Sequence, residues 1–117
     1  MAEPWPTELR LDKERRLLTV TFDDGKSFAL PAELLRVLSP SAEVQGHSAE
    51  QRVTVAGKKS VGIARVEPVG NYAVRIVFDD GHDTGLYVWA YLRELGENQP
   101  ARWQSYLNDL AAKGLTR

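Results

Sequence analysis

Carboxylates and an imidazole crowd together at one place in the sequence, the run Asp79-Asp80-Gly81-His82-Asp83. Oxygen and nitrogen ligands of this kind suit Fe(II), Mn(II) or Zn(II), so Asp80, His82 and Asp83 form one candidate metal site. Adjacent residues of a turn point in different directions, however, and the run lacks the Asp-x-Asp-x-Asp-Gly spacing of a calcium loop. The spacing therefore favours a structural turn with a locally hydrogen-bonded His82.

Other catalytic chemistries find little support in the residues. The chain contains no cysteine, which excludes disulfides, thiolate nucleophiles and cysteine-ligated zinc or iron–sulfur centres. Neither a Gly-x-Ser-x-Gly elbow, a P-loop nor a Gly-x-Gly-x-x-Gly motif occurs. The second histidine, His47, lies in a polar segment, where a solvated side chain is the favoured interpretation. We therefore predict a protein that is not an enzyme and has no catalytic residues.

The charge balance restricts the kinds of partner. The 117 residues carry 15 Lys and Arg against 16 Asp and Glu, a net charge of −1, so no overall field attracts nucleic acid or anionic lipid. The first residues lack the basic and apolar regions of a secretory signal, and no apolar run approaches the roughly 18 residues that span a membrane. We expect a cytoplasmic protein with a protein partner and with no nucleic acid or membrane partner.

Hydrophobic periodicity predicts two similar halves. In the first half, a hairpin within residues 8–22 and a strand at 27–30 precede a short helix that ends near Leu38. In the second half, strands at 61–66, 72–78 and 85–87 precede a helix that carries Trp89 and Leu92, with a turn predicted at 67–71. A C-terminal helix is predicted at about 100–113 because four apolar residues there follow the i, i+3, i+4, i+7 pattern, namely Trp103, Tyr106, Leu107 and Leu110.

These elements predict an α+β fold with a mainly antiparallel sheet, built of two strand-turn-strand-helix halves plus the C-terminal helix. The run Val-Thr-Phe-Asp-Asp-Gly at 20–25 resembles Ile-Val-Phe-Asp-Asp-Gly at 76–81, an offset of 56 residues. Convergent turn chemistry and a true internal repeat both account for this pattern. The apolar stripe of the C-terminal helix requires a cover, either by docking on the sheet or by formation of a homodimer.

Three longer strings are similar to one known family. They are Leu-Ser-Pro-Ser-Ala-Glu-Val at 38–44, Glu-Pro-Val-Gly-Asn-Tyr-Ala-Val at 67–74 and Phe-Asp-Asp-Gly-His-Asp-Thr-Gly-Leu-Tyr at 78–87. In this order they resemble the DUF971 family, also called the gamma-butyrobetaine hydroxylase-like N-terminal domain. The resemblance covers about residues 7–96, so we predict one domain over 1–117, a stand-alone member of the bacterial type.

The resemblance also bears on metal binding. In carnitine-synthesis dioxygenases with this domain, three cysteines of one loop and a later histidine hold a structural zinc. Ser39, Ser41 and Val44, hereafter the zinc-loop positions, stand here where those relatives have cysteine, and His82 stands at the histidine position. Since a serine hydroxyl is a poor zinc ligand and valine is none, the resemblance implies that the zinc is lost and that no cofactor is held.

Two functions remain open on these grounds. The first is a small non-enzymatic accessory or interaction domain held together by packing where its relatives use zinc. The alternative is an iron- or zinc-binding accessory protein that assists an iron–sulfur or 2-oxoglutarate oxygenase system, since the family also occurs as an appendage of iron–sulfur carrier ATPases. The residues needed for the oxygenase and ATPase reactions themselves are absent from this chain.

Overall fold

The first half of the chain forms a three-stranded sheet and a short helix. The computed structural model describes residues 5–40 and 54–117, so the predictions for His47, Ser41 and Val44 lie outside the described residues. The strands are β1 (Pro6–Leu11), β2 (Leu17–Phe22) and β3 (Ser27–Pro31), which pair antiparallel in that order. Helix α1 (Ala32–Val37) follows β3 directly and ends at the predicted place.

The second half repeats this order and adds a helix. Strands β4 (Ile63–Val69), β5 (Ala73–Phe78) and β6 (Leu86–Val88) pair antiparallel in sequence order. Helices α2 (Trp89–Glu97) and α3 (Gln99–Ala112) follow. The α+β class, the antiparallel pairing and the order of the elements are therefore confirmed. Within the described ranges, no helix is both long and apolar enough to cross a membrane.

Two details of the predicted sheet were wrong. The strands form two three-stranded sheets rather than one, and both sheets contribute to a shared core that includes Val20 and Ile76. The turn predicted at 67–71 begins late, since β4 continues through Pro68 to Val69. Proline is tolerated there because β4 is an edge strand, where a missing N–H leaves no neighbouring strand unpaired.

The two Asp-Asp-Gly turns have the same geometry. The N–H of Gly25 donates to the carbonyl of Phe22 at 3.0 Å, and the N–H of Gly81 donates to that of Phe78 at 3.1 Å. The two glycines have φ angles of +85° and +91°, which glycine adopts without the steric cost of a side chain. Both phenylalanines are buried, at 1% and 2% exposure, which confirms their predicted equivalence in the core.

Each turn also binds the helix of the other half. Arg93 of α2 donates to both oxygens of Asp24 at 3.1 and 2.8 Å. Reciprocally, Arg36 of α1 donates to Asp80 at 2.8 Å. The two arginines occupy corresponding places in the two halves, as do the two aspartates. These two matching ion pairs favour an internal repeat over convergent turn chemistry. A chance similarity of two turns does not account for the matching contacts with the helices.

Helix α3 packs mainly on α1. Its buried Tyr106 and Leu110 form a cluster with Val37 of α1, and Val55 packs against the same cluster. The hydroxyl of Tyr106 donates to the carbonyl of Val55 at 2.6 Å. The apolar stripe is therefore covered within the domain, mainly by α1, while its Trp103 packs against the main core that both sheets contribute to.

Candidate functional site

Ser39 and His82 meet in the interior, although 43 residues separate them. Ser39 follows the end of α1, and His82 follows the second Asp-Asp-Gly turn. The Oγ atom of Ser39 lies 3.0 Å from Nε2 of His82, within hydrogen-bond distance. Ser39 is fully buried and His82 is 8% exposed. The structure therefore brings together two of the four positions that the family resemblance links to zinc, while Ser41 and Val44 lie outside the described residues.

Asp80 ties the same turn to basic residues. Its carboxylate accepts hydrogen bonds from Arg36 at 2.8 Å and from the main-chain N–H of His82 at 3.1 Å, and it pairs with Lys58 at 2.6 Å. Burial alone would raise the pKa of Asp80, but the bonds from Lys58, His82 and Arg36 outweigh it and lower that pKa to about 2. Asp80 is therefore an ionised anchor that is already neutralised by two cations.

Two tyrosines complete this region and hold the end of α1. The hydroxyl of Tyr87 donates to the carbonyl of Leu35, and that of Tyr91 donates to the carbonyl of Leu38. The last carbonyls of a helix have no partner inside the helix, and these hydroxyls supply a donor to two of them. Burial raises the pKa of Tyr87, which keeps its hydroxyl protonated as a donor.

The backbone at Gly85 passes close to Ser39, beside the Ser39–His82 contact. A Cβ atom added to Gly85 would lie 2.5 Å from Oγ of Ser39, which is too close for two non-bonded atoms. Glycine at this position therefore allows the strand entering β6 to approach Ser39. We call Ser39, His82, Asp80, Tyr87 and Tyr91 the α1-end cluster, since they meet where α1 ends.

The set Asp80, His82 and Asp83 does not form a three-ligand group. Within residues 5–40 and 54–117, no three His, Cys, Asp or Glu side chains are placed to hold one metal ion. Asp80 is turned toward Arg36 and Lys58. The pKa of the Arg75 guanidinium is raised chiefly by its hydrogen bonds to Glu67, and Asp83 makes only a smaller contribution.

The partners of Asp80 were not predicted from the sequence. Arg36 and Arg93 occupy corresponding places in the two halves, and that correspondence was the available signal for the paired aspartate–arginine contacts. Lys58 carried no comparable signal. The structure places the aromatic residues Tyr87 and Tyr91 in or against the core.

A second feature is an exposed apolar surface on the edge strand β6. Leu86 and Val88 point away from the core and remain 42% and 41% exposed, while Tyr87 between them is fully buried. Tyr72 is 52% exposed and precedes Ala73, the residue paired with Val88. Trp5, itself 47% exposed, packs edge-on against Trp89, with ring centroids 6.1 Å apart. We call Trp5, Tyr72, Leu86 and Val88 the β6 surface.

The fold and these features define a class of protein: a small α+β domain of two antiparallel sheets whose buried polar side chains hold its helix ends together. Residues 9–93 match the family described as gamma-butyrobetaine hydroxylase-like, N-terminal. The chain belongs to this family, which is also known as DUF971. No curated protein matches the sequence.

Solved structures show the same architecture. One NMR structure is 51% identical, with a TM-score of 0.84, and the match covers 98% of this chain and 86% of that one. A second NMR structure is 46% identical, with a TM-score of 0.85 and coverages of 99% and 91%. A crystal structure of a DUF971 protein of unknown function from Acidithiobacillus ferrooxidans is 38% identical, with a TM-score of 0.67 and coverages of 81% and 98%.

Proposed function

We propose that this chain is a non-enzymatic accessory domain that acts by binding a partner protein. The observation that carries the proposal is the β6 surface, where Leu86 and Val88 stand exposed on the edge strand and two exposed aromatic residues, Trp5 and Tyr72, precede β1 and β5. Exposed apolar groups in one area are typical of protein interaction sites. Among residues 5–40 and 54–117, no strand pairs with the outer edge of β6, and a partner strand can pair with the main-chain groups of such an edge.

The α1-end cluster supports a structural rather than a catalytic role for the buried polar residues. Ser39 and His82 contact each other in the interior, and Asp80 is neutralised by Arg36 and Lys58. A nucleophile and base need access to a substrate, and the burial of Ser39 gives no such access. In this proposal the Ser39–His82 contact stands where related domains use zinc, and the chain holds no cofactor.

Partner capture from the native host tests the proposal. Wild-type protein is compared with the double variant Leu86→Lys/Val88→Lys, which places two charges on the β6 surface, and with Leu115→Lys. Leu115 is 40% exposed, a similar value, and lies after α3, so its variant is a matched control for charge on an exposed leucine. We expect a protein that wild type and control retain and the double variant loses, with all three equally folded by circular dichroism.

Retention of the same proteins by all three chains would contradict the proposal. The oligomeric state is read in parallel by sedimentation velocity at several concentrations. If wild type dimerises and the double variant does not, the partner at the β6 surface is a second copy of this chain. That result would identify the homodimer as the relevant assembly.

The alternative function, a metal-dependent accessory role, is favoured by one observation. Ser39 and His82, two positions linked to zinc by the family resemblance, adjoin each other. Metal analysis of the dialysed protein distinguishes the two functions. Stoichiometric iron or zinc that His82→Ala loses and Asp83→Asn keeps would support the metal-dependent role, and its absence from wild type would support the accessory role.

A further inference from the structure

A buried carboxylate on α1 lies beside an open cavity. It pairs with an arginine that belongs to no helix or strand. Glu33 is only 7% exposed. Its two oxygens accept hydrogen bonds from Nε of Arg117 at 3.1 Å and from Nη2 at 2.8 Å. A buried carboxylate is costly unless it is paired and hydrogen-bonded. The Glu33 side chain therefore requires a cation at this place.

The partner of this carboxylate is held from two sides. The guanidinium carbon of Arg117 lies 5.1 Å from the ring centroid of Trp103 on α3, a distance typical of a cation–π contact. Glu33 thus supplies two coplanar acceptors, and Trp103 supplies an aromatic face. This combination fits a planar guanidinium, which donates two parallel hydrogen bonds and stacks on aromatic rings, better than it fits a compact ammonium.

Arg117 itself is easier to displace than the two residues that hold it. Glu33 and Trp103 lie on helices α1 and α3, whereas Arg117 follows α3 in a segment without regular structure. Its side chain remains 42% exposed. A cavity of about 270 Å³ opens beside the pair and is lined by Pro31, Glu33, Leu34, Gln99, Trp103 and Arg117. The cavity leaves room for a chemical group that approaches from outside.

We propose that Glu33 and Trp103 form a recognition site for a guanidinium group, which Arg117 occupies in the structure and which a ligand or partner bearing an arginine side chain fills in its place. The site lies on the α1–α3 side of the domain and involves none of the residues of the β6 surface. It is therefore independent of the function proposed above. The interaction with Arg117 acts as an internal competitor, so the affinity for an external guanidinium depends on how firmly the segment after α3 is held.

Chemical rescue tests the site directly. Arg117→Ala vacates it, and N-acetyl-L-arginine amide is titrated in while the indole N–H signal of Trp103 is followed by NMR, assigned with Trp103→Phe. N-acetyl-L-citrulline amide is the matched control probe, because it has nearly the same shape without the charge. We expect a saturable shift and a raised melting temperature with the arginine probe. The affinity for the citrulline probe should be lower by a factor of about ten or more.

Two further variants fix the interpretation. Arg117→Ala combined with Glu33→Gln should show no saturable shift, because the acceptor charge is gone. Arg10→Ala, which removes one cation from an exposed pair with Glu8, should behave as wild type and show no saturable shift at Trp103. Equal binding of arginine and citrulline, or rescue that persists in the Glu33→Gln background, would overturn the proposal.

The proposal remains testable if the Arg117→Ala variant does not fold on its own. If Arg117→Ala is unfolded, the arginine probe should restore dispersed amide signals, and failure to restore them would overturn the proposal. Free L-arginine is compared with the capped probe to separate the two sources of a guanidinium. Tighter binding of the capped form points to an arginine within a polypeptide, and tighter binding of the free form points to a small-molecule ligand.

Discussion

Replacing Asp80 by asparagine isolates the charge of the residue that ties the second turn to α1. Asparagine keeps an oxygen that can accept the hydrogen bond from the N–H of His82, but it removes the negative charge that faces Arg36 and Lys58. The contacts of Asp80 lower its pKa from 3.8 to about 2. Such a depression corresponds to about 2.4 kcal/mol of stabilisation. Since water screens part of this carboxylate, we expect Asp80→Asn to cost about 1–2 kcal/mol at pH 7.

The stabilisation that the Asp80 carboxylate contributes should decrease as the pH falls. A carboxyl whose pKa is lowered in the folded state contributes its full stabilisation above its usual pKa, and the contribution disappears as the pH falls through the folded value. For Asp80 these values are 3.8 and about 2. The difference between wild type and Asp80→Asn should therefore be constant from pH 7 to about pH 5. It should shrink to less than half by about pH 2.5.

Urea denaturation followed by tryptophan fluorescence at pH 7, 5, 3.5 and 2.5 measures this difference. Asp83→Asn is the matched control, since it removes the same charge from an exposed position of the same turn. The control should change the free energy of unfolding by less than about 0.5 kcal/mol. A negligible effect of Asp80→Asn at pH 7, or an effect that stays undiminished at pH 2.5, would refute the ion-pair account.

Three other changes test the packing and the α1-end cluster. Phe78→Ala should lower the free energy of unfolding by about 3–5 kcal/mol in urea titration, because the ring is buried in the core; a loss near zero would contradict that burial. Tyr87→Phe should cost about 1–3 kcal/mol because it leaves a buried helix carbonyl unpaired, whereas Tyr72→Phe at an exposed position should be neutral by the same measurement. Cysteine at all three zinc-loop positions should create zinc binding, measured by calorimetry, that His82→Ala abolishes. Equal binding with His82→Ala would show that the loop and the histidine do not act together.

Local patterns in the sequence were sufficient to predict the elements. Strand alternation and turn glycines identified all six described strands, because those signals depend on neighbouring residues. The extension of β4 through Pro68 was not predictable in the same way. Whether a proline ends a strand depends on whether that strand lies at a sheet edge, and that position is a property of the whole fold.

The polar contacts were harder to predict than the elements. The contact between Ser39 and His82 was suggested by the family resemblance, and the structure places the two side chains together. The contacts of Arg36 with Asp80 and of Glu33 with Arg117 join residues 44 and 84 positions apart. No periodicity encodes such pairs, since charged residues on solvent-facing helix surfaces have the same spacing whether or not they find a distant partner.

Four polar contacts fasten the end of α1 to the second half of the domain. Zinc stabilises small domains by joining distant segments through bonds that exist only in the folded state. Here, four contacts join the end of α1 to the second half: Arg36 with Asp80, Leu35 with Tyr87, Leu38 with Tyr91 and Ser39 with His82. Each such contact contributes about 0.5–1.5 kcal/mol when it is a neutral hydrogen bond, so their sum is a few kcal/mol.

That sum is smaller than the binding energy of a structural zinc. The shared core already includes apolar residues of both sheets, so the contacts need only fix the orientation of α1 and not hold the halves together. We propose that hydrophobic packing supplies most of the stability of this chain and that the α1-end cluster supplies the alignment of α1. Tyr87→Phe separates these contributions, because it removes one aligning bond while leaving the apolar ring in the core.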